Sequence, residues 1–195
     1  MKFPEKLLGD WNNLDIQKLS YPTGKYVNRS LSLKSTWRYL SGIKCRLKAG
    51  MGLKQKVIDI GAGGGAALEI FKHFGYNVLA VDRYDIRSGT DYDKMLISQK
   101  IHHIHHDCSK IPYPFKDQSF DILLSMGSII NIVSGDHTKI PIILNEFSRI
   151  TKKTIFLVVN RGPHLDRGKR IIQTWKSDFK LTYTNNNNVF RWDKR

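Results

Sequence analysis

Residues 57–65 read VIDIGAGGG: an apolar run broken by one carboxylate, Asp59, and then a loop of almost nothing but glycine. The helix-like stretch GGAALEIFKHFG (64–75) follows, stopped by Gly75. Together these predict a short buried strand (KVIDI, 56–60), a tight turn and a helix. Such a turn brings the backbone against a ligand. Gly61 lets the chain reverse, Gly63 lets the backbone approach closely, and Gly65 starts the helix with its amides facing forward. The pattern alone leaves the ligand open, because GAGGGA also satisfies the dinucleotide fingerprint G-x-G-x-x-A.

Outward from the loop, apolar runs alternate with helical ones. NVLAVD (77–82) predicts a second strand, residues 91–100 a short helix, IHHIHH (101–106) a third strand, and FDILLSMG (120–127) a fourth. KIPIILNEFSRITKK (139–153) predicts a helix, TIFLVVN (154–160) a fifth strand, and a further helix lies near 165–177. FKLTYT-NNNN-VFRWDK then alternates on both sides of an asparagine turn, as a β-hairpin does. Apolar strands separated by helices require a parallel sheet covered on both faces. The expected fold is therefore α/β: a single Rossmann-like, doubly wound, mostly parallel seven-stranded sheet with a C-terminal antiparallel hairpin.

In such a sheet the ligand lies beyond the carboxyl ends of the strands, at the switch point beside the first strand. Three acids stand at three successive strand ends there: Asp59, Asp82 and Asp107. A carboxylate at Asp59 is a poor neighbour for a pyrophosphate but a good one for a cation. Asp82 is placed to take both hydroxyls of a ribose, and Asp107, just before Cys108, to accept from the exocyclic amine of adenine. The set fits a cationic adenosyl ligand better than a dianionic dinucleotide, which leaves a nicotinamide oxidoreductase as the weaker reading.

With these residues in view, the sequence resembles the class I S-adenosylmethionine-dependent methyltransferases, in particular the methyltransferase type 11-like group. VIDIGAGGG matches that family's first motif, D/E-x-G-x-G-x-G, through Asp59, Gly61, Gly63 and Gly65, with Ala62 inside it. VLAVDR looks like the second, through Asp82 and Arg83, and HHDCSKIPYPFKDQSFDILLS is similar to the third and fourth together. The resemblance covers roughly residues 55–160. It implies S-adenosyl-L-methionine as cofactor, with Asp82 on the ribose, Asp107 on the adenine amine and the Cys108 amide on the ring. It further implies that Ser125 and Met126 line the cofactor at the end of strand four. The sequence departs from many relatives after that strand: GSIINIVSGDHTK has no L-x-H, and its nearest histidine is His137. The family's common catalytic assignment therefore does not carry over.

The chain of 195 residues suits one domain, and its composition is that of an ordinary folded protein. We expect residues 1–55 to form an N-terminal lid and a basic amphipathic helix, and residues 56–195 the methyltransferase domain. The helix is expected from Leu31 to Lys48, with Leu33, Trp37, Leu40, Ile43 and Leu47 on its apolar face and AGMG ending it. No apolar run approaches the roughly 20 residues of a membrane span. The N-terminal stretch lacks a long apolar segment, and Cys45 and Cys108 have no metal or redox spacing, so a reduced, cytoplasmic setting is expected.

The net charge of +15 is unevenly placed. Residues 1–56 hold twelve Lys/Arg against three Asp/Glu, residues 57–160 eleven of each, and residues 161–195 nine against three. A neutral middle between basic flanks suits either a solubilising surface or an anionic partner. Two acceptor classes follow: a small polar or anionic molecule, and RNA held through the basic flanks. A non-catalytic cofactor-binding subunit is a third reading, and the sequence leaves the oligomeric state open. No DPPY-like motif follows strand four, where SMGS stands, which argues against methylation of an exocyclic base amine.

Asp136 and His137 fall in the loop after strand four. His137 is the candidate general base there, weighed against a loop in which Asp136 or Thr138 simply caps the next helix. Substrate entry is expected between the N-terminal helix, the loop 127–138 and NRGPH (160–164), where Arg161 would meet an acidic group. The run HHIHH (102–106) invites a metal reading. On a strand, however, His103 and His105 face away from His102 and His106, and no cysteine or carboxylate in the sequence visibly completes a tetrahedral set. We expect no metal and a polar strand near a sheet edge. Trp37 and Trp175 are expected in the core.

Overall fold

The computed structural model describes residues 4–6, 29–42, 53–83, 92–133, 136–159, 166–185 and 189–195. Among these, seven strands form one sheet: β1 (Lys56–Ile60), β2 (Asn77–Asp82), β3 (His102–His105), β4 (Phe120–Met126), β5 (Thr151–Val158), β6 (Phe179–Asn185) and β7 (Val189–Lys194). Their spatial order is β3-β2-β1-β4-β5-β7-β6. All neighbours up to β5 are parallel, whereas β7 pairs antiparallel with both β5 and β6. The chain leaves β1 to build outward to β3, then returns to β4 on the other side. That reversal puts the switch point between β1 and β4, at the end of the strand that carries Asp59.

The helices are α1 (Arg29–Gly42), α2 (Ala66–His73), α3 (Tyr92–Ser98), α4 (Ile129–Ile132), α5 (Ile140–Ile150) and α6 (Asp166–Thr174). Because strand side chains alternate between faces, each central strand feeds two cores. Val57, Ile122, Leu124, Phe156 and Val158 pack with Leu33, Trp37 and Leu40 of α1 and with Ala67, Leu68, Ile70 and Phe71 of α2. Ile58, Ile60, Leu123, Ile155 and Leu157 pack with Ile143, Leu144, Phe147 and Ile150 of α5, and with Ile172, Phe190 and Trp192. In α5 the apolar residues recur at three- and four-residue steps behind a proline in the first turn, which supplies one fully buried stripe.

The observed elements differ from the sequence expectation at several boundaries. Helix α5 ends at Ile150, and β5 begins at Thr151 rather than 154. Thr151 is extended (φ −106°, ψ 136°), and its hydroxyl donates to the Phe147 carbonyl at 2.6 Å, closing the helix early. A one-turn helix, α4, stands where none is expected. The hydroxyl-rich helix α1 is described from Arg29 to Gly42, and the expected continuation to Lys48, like the lid, Cys45 and Arg161, lies outside the described residues. The helix after β1 also starts later, at Ala66 rather than 64, because Gly65 is left-handed.

Trp37 is buried in the first core, as expected. Trp175 is half-buried at the edge of the second, its ring set edge-on to Trp192 and its indole N–H donating to Asn145 Oδ1 at 2.9 Å. No described helix is long and apolar enough to cross a membrane.

Candidate functional site

The glycine loop is pinned to β2 rather than free. The amides of Gly61 and Ala62 donate to the Val81 carbonyl at 2.8 and 3.2 Å, and the Gly63 amide donates to Asp82 Oδ2 at 2.8 Å. Asp82 Oδ1 in turn accepts from the Arg83 amide at 2.7 Å. One carboxylate at the end of β2 therefore fixes the loop's shape and the chain's exit from the strand. Gly61, Gly63 and Gly65 all have left-handed backbones, with φ of 77°, 50° and 76°. At Gly61 two demands coincide, because a Cβ there would lie 2.4 Å from Ser128 Cβ.

Ser128 holds the site together from the other side of the switch point. Its hydroxyl donates to the Ile60 carbonyl at 2.8 Å. That uses its single proton, so the Ser125 hydroxyl, 2.8 Å away, donates to Ser128 Oγ. Ser125 is fully buried. Its side chain thus acts on Ser128 and, through it, on the end of β1. Helix α3 closes the far wall of the loop. The Tyr92 ring, Met95 and Leu96 stand against the Cβ positions of Gly63, Gly64 and Gly65, and Gln99 Nε2 donates to the Gly64 carbonyl at 2.9 Å.

Asp59 is 2% exposed on the strand beneath the loop, and its Oδ1 accepts no hydrogen bond. Burial first, and then the charge of Asp82, push its carboxyl up to about 7. A buried acceptor with no donor is costly unless something else meets it. At the end of β3, Asp107 is half-buried, with Oδ1 accepting from the Ser109 amide (3.0 Å) and hydroxyl (2.7 Å), which hold it below the ordinary carboxylate range. Cys108 is buried, its thiol pointing at the Val81 carbonyl at 3.8 Å. Desolvation and then Asp82 push it up to about 12, so it stays a thiol and packs as a small apolar residue.

The loop after Cys108, SKIPYPF, is tied down by one knot. Glu146 Oε1 accepts from the Tyr113 amide at 2.6 Å and from Arg149 Nη2 at 2.6 Å. Arg149 also donates to the carbonyls of Phe115 (2.8 Å) and Tyr113 (3.1 Å) and to Asp117 at 2.7 Å. The Tyr113 hydroxyl donates to the Cys108 carbonyl at 2.9 Å, so this knot sets the height of the β3 end. His137 begins a single 3-10 turn, His137–Lys139, after the end of β4. It is half-buried, and Asp136 caps the turn by accepting from the Thr138 amide at 3.2 Å.

Asp59, the glycines, Asp82, Arg83, Asp107, Cys108 and Ser125 thus stand at the ends of β1 to β4, along one side of the sheet. Ser128, Tyr92 and Gln99 escape the sequence reading, since each reaches the loop only through the fold. One contact was not visible in the sequence. His103 and His105 do meet a carboxylate, that of Asp93 in the first turn of α3, so a possible ligand set exists where the sequence showed none.

The residues present suit a cationic adenosyl ligand. The bare Oδ1 of Asp59 lies beneath a loop whose glycines admit close backbone approach, and two further carboxylates stand at the neighbouring strand ends. Comparison with known proteins agrees. A family model described as "Methyltransferase domain" matches residues 58–159, just over half of the chain. No curated protein matches the sequence.

Among solved structures, an S-adenosylmethionine-dependent methyltransferase from Aquifex aeolicus superposes with a TM-score of 0.54 at 17% identity, over 100% of this chain and 98% of that one. A 16S rRNA methylase gives 0.60 at 11% identity, over 99% and 76%. Magnesium protoporphyrin IX methyltransferase from Synechocystis, solved with bound S-adenosylmethionine, gives 0.53 at 10%, over 99% and 97%. At such identities these superpositions speak for the fold, and the family match carries the assignment: the chain belongs to the methyltransferase domain family, as a class I enzyme whose cofactor is S-adenosylmethionine.

Proposed function

We propose that the enzyme transfers the methyl group to a small polar or anionic acceptor by direct displacement. S-adenosylmethionine, when bound, supplies a methyl already activated on a sulfonium. What remains for the protein is to hold that group, align a nucleophile opposite the leaving sulfur and keep water out. Asp59 would take the cationic end through its unmatched Oδ1, Asp82 the ribose hydroxyls and Asp107 the adenine amine. The glycine-loop backbone, held in shape by its own bonds to Val81 and Asp82, and the Cys108 amide would complete the cradle, with Arg83 at its rim and Ser125 supporting it through Ser128.

The observation that carries the acceptor class is the charge division. Residues 57–160, which build the cofactor end of the sheet, are neutral, with eleven Lys/Arg and eleven Asp/Glu, so this stretch supplies no net cationic field. A long polyanion would need such a field along its path. We assign His137 as the general base that takes the acceptor's proton as its nucleophilic atom attacks, on the strength of its place after β4 and its partial burial. We also take residues 1–55 as a lid and basic helix on the domain 56–195, and the cytoplasm as the setting.

RNA is the second reading, favoured by the basic flank, in which Lys34 and Arg38 ride on α1. The test is release of S-adenosylhomocysteine across hydroxyl, carboxyl, amine and RNA acceptors, with charge reversal at Lys34 and Arg38. A small acceptor predicts modest changes in turnover. RNA predicts weaker binding and a salt slope flatter by about one unit per lost phosphate contact. An intact pocket with no turnover on any acceptor would instead favour a non-catalytic subunit. For His137→Ala, a fall in turnover of about 10²–10⁴ with unchanged cofactor affinity supports the base, and unaltered turnover removes it.

A further inference from the structure

Helix α3 and the edge strand β3 share a feature that methyl transfer does not use. Alternation along β3 puts His103 and His105 on one face, their rings 5.7 Å apart, and Asp93 of α3 comes against both. Asp93 Oδ1 lies 3.4 Å from His103 Nε2, and Oδ2 lies 3.0 Å from His105 Nε2. One donor atom from each residue can be chosen so that all lie within 4.8 Å of one another. With ligand bonds of roughly 2.0–2.1 Å, the donor atoms of a tetrahedral metal stand about 3.3 Å apart, so each carboxylate oxygen already lies near ligand spacing from one of the two imidazoles.

Two further details point to a cation. Asp93 Oδ1 is shielded from water and accepts no hydrogen bond. His103 Nδ1 lies 3.4 Å from the Ile101 carbonyl, a partner that favours a proton on Nδ1. Nε2 then turns its lone pair toward a carboxylate, which a shared positive ion stabilises. A ring nitrogen bonded outward to a carbonyl while its other nitrogen binds metal is the usual arrangement of ligating histidines.

We propose that Asp93, His103 and His105 bind a divalent transition-metal ion of the zinc type, with the fourth position left to water. Two imidazoles and one carboxylate suit such an ion and not magnesium or calcium, which prefer oxygen alone. The ion is structural. It fastens α3 to the sheet edge, and α3 carries Tyr92, Met95 and Leu96, the wall of the glycine loop. Binding it should therefore raise thermal stability and tighten cofactor binding.

The experiment is calorimetric titration of metal-stripped, untagged protein with Zn²⁺, repeated on His105→Ala, Asp93→Asn and the control His102→Ala. His105 is 56% exposed, so its truncation leaves the fold intact, which circular dichroism verifies. We expect one ion per chain in the wild type and in His102→Ala, at least tenfold weaker binding in the other two, and a zinc-induced rise in melting temperature only where binding survives. No stoichiometric binding by the wild type, or equal binding by all four proteins, overturns the site. Neither outcome depends on which acceptor is methylated.

Discussion

Two buried carboxylates, Asp59 on β1 and Glu146 on α5, are treated in opposite ways. Glu146 is surrounded: Arg149 and the Tyr113 amide fill both its oxygens, and these contacts, the Arg149 hydrogen bonds first, hold it below the ordinary carboxylate range. Asp59 is more deeply buried, yet one oxygen has no donor, and its carboxyl is pushed up to about 7. The first arrangement stabilises a loop and asks for nothing further. The second costs stability that a bound cation would return. Where folding alone would never leave a carboxylate bare, its presence marks the place at which a ligand is expected to complete the structure.

The largest expected effect is at Asp59. Its folded-state value stands above the ordinary 3.8, so between about 4 and about 7 the folded chain keeps a proton that the unfolded chain has lost. Stability of the cofactor-free protein should then fall as pH rises through that window and level off above it. The span corresponds to a loss on the order of 4 kcal/mol. Asp59→Asn should abolish the slope, melting near the wild type at pH 5 and well above it at pH 8, while binding S-adenosylmethionine more weakly. A wild type whose melting temperature rises across the window would end the contrast with Glu146.

Glu146→Ala should do the reverse of Asp59→Asn, destabilising the fold by about 3 kcal/mol in urea unfolding. This is the low end for breaking a buried pair, because Arg149 keeps 28% of its side chain exposed. Asp82→Ala should weaken S-adenosylmethionine binding at least tenfold, since each hydrogen bond to a charged group is worth roughly 1.5–3 kcal/mol and the Gly63 amide loses its anchor as well. Unchanged affinity in a folded variant would remove Asp82 from the site. The smallest effect is expected from Ser128→Ala, about 1 kcal/mol by thermal unfolding, with only a few-fold loss of cofactor affinity.

What the sequence disclosed and what it hid follow from the range of the forces involved. β1, β2 and the terminal hairpin are legible because their apolar residues recur at strand spacing within a few positions. The end of α5 is not: Lys152 and Lys153 read as a helix terminus, but Thr151 turns its hydroxyl back onto Phe147 and starts the strand early. Helix α4 has four residues, too few to show a period. The acids at strand ends could be placed from order alone. Ser128 could not, because its partner Ile60 is 68 residues away and becomes a neighbour only when β4 lies beside β1. Asp93 was hidden in the same way, by the packing of α3 on β3.

That contact between Gly61 and Ser128 has a consequence for how the chain can diverge. The first residue of the glycine loop and the first turn beyond β4 occupy one volume, so a side chain can be added at 61 only if 128 gives way. An alanine at 61 would need a glycine at 128 to clear the 2.4 Å overlap, and it would still carry the strain of φ 77°. Losing Ser128 to make that room would also release the Ile60 carbonyl and the Ser125 hydroxyl. Homologous enzymes that vary in the segment after β4 should therefore vary freely only from 129 onward, with 61, 125 and 128 inherited as a block.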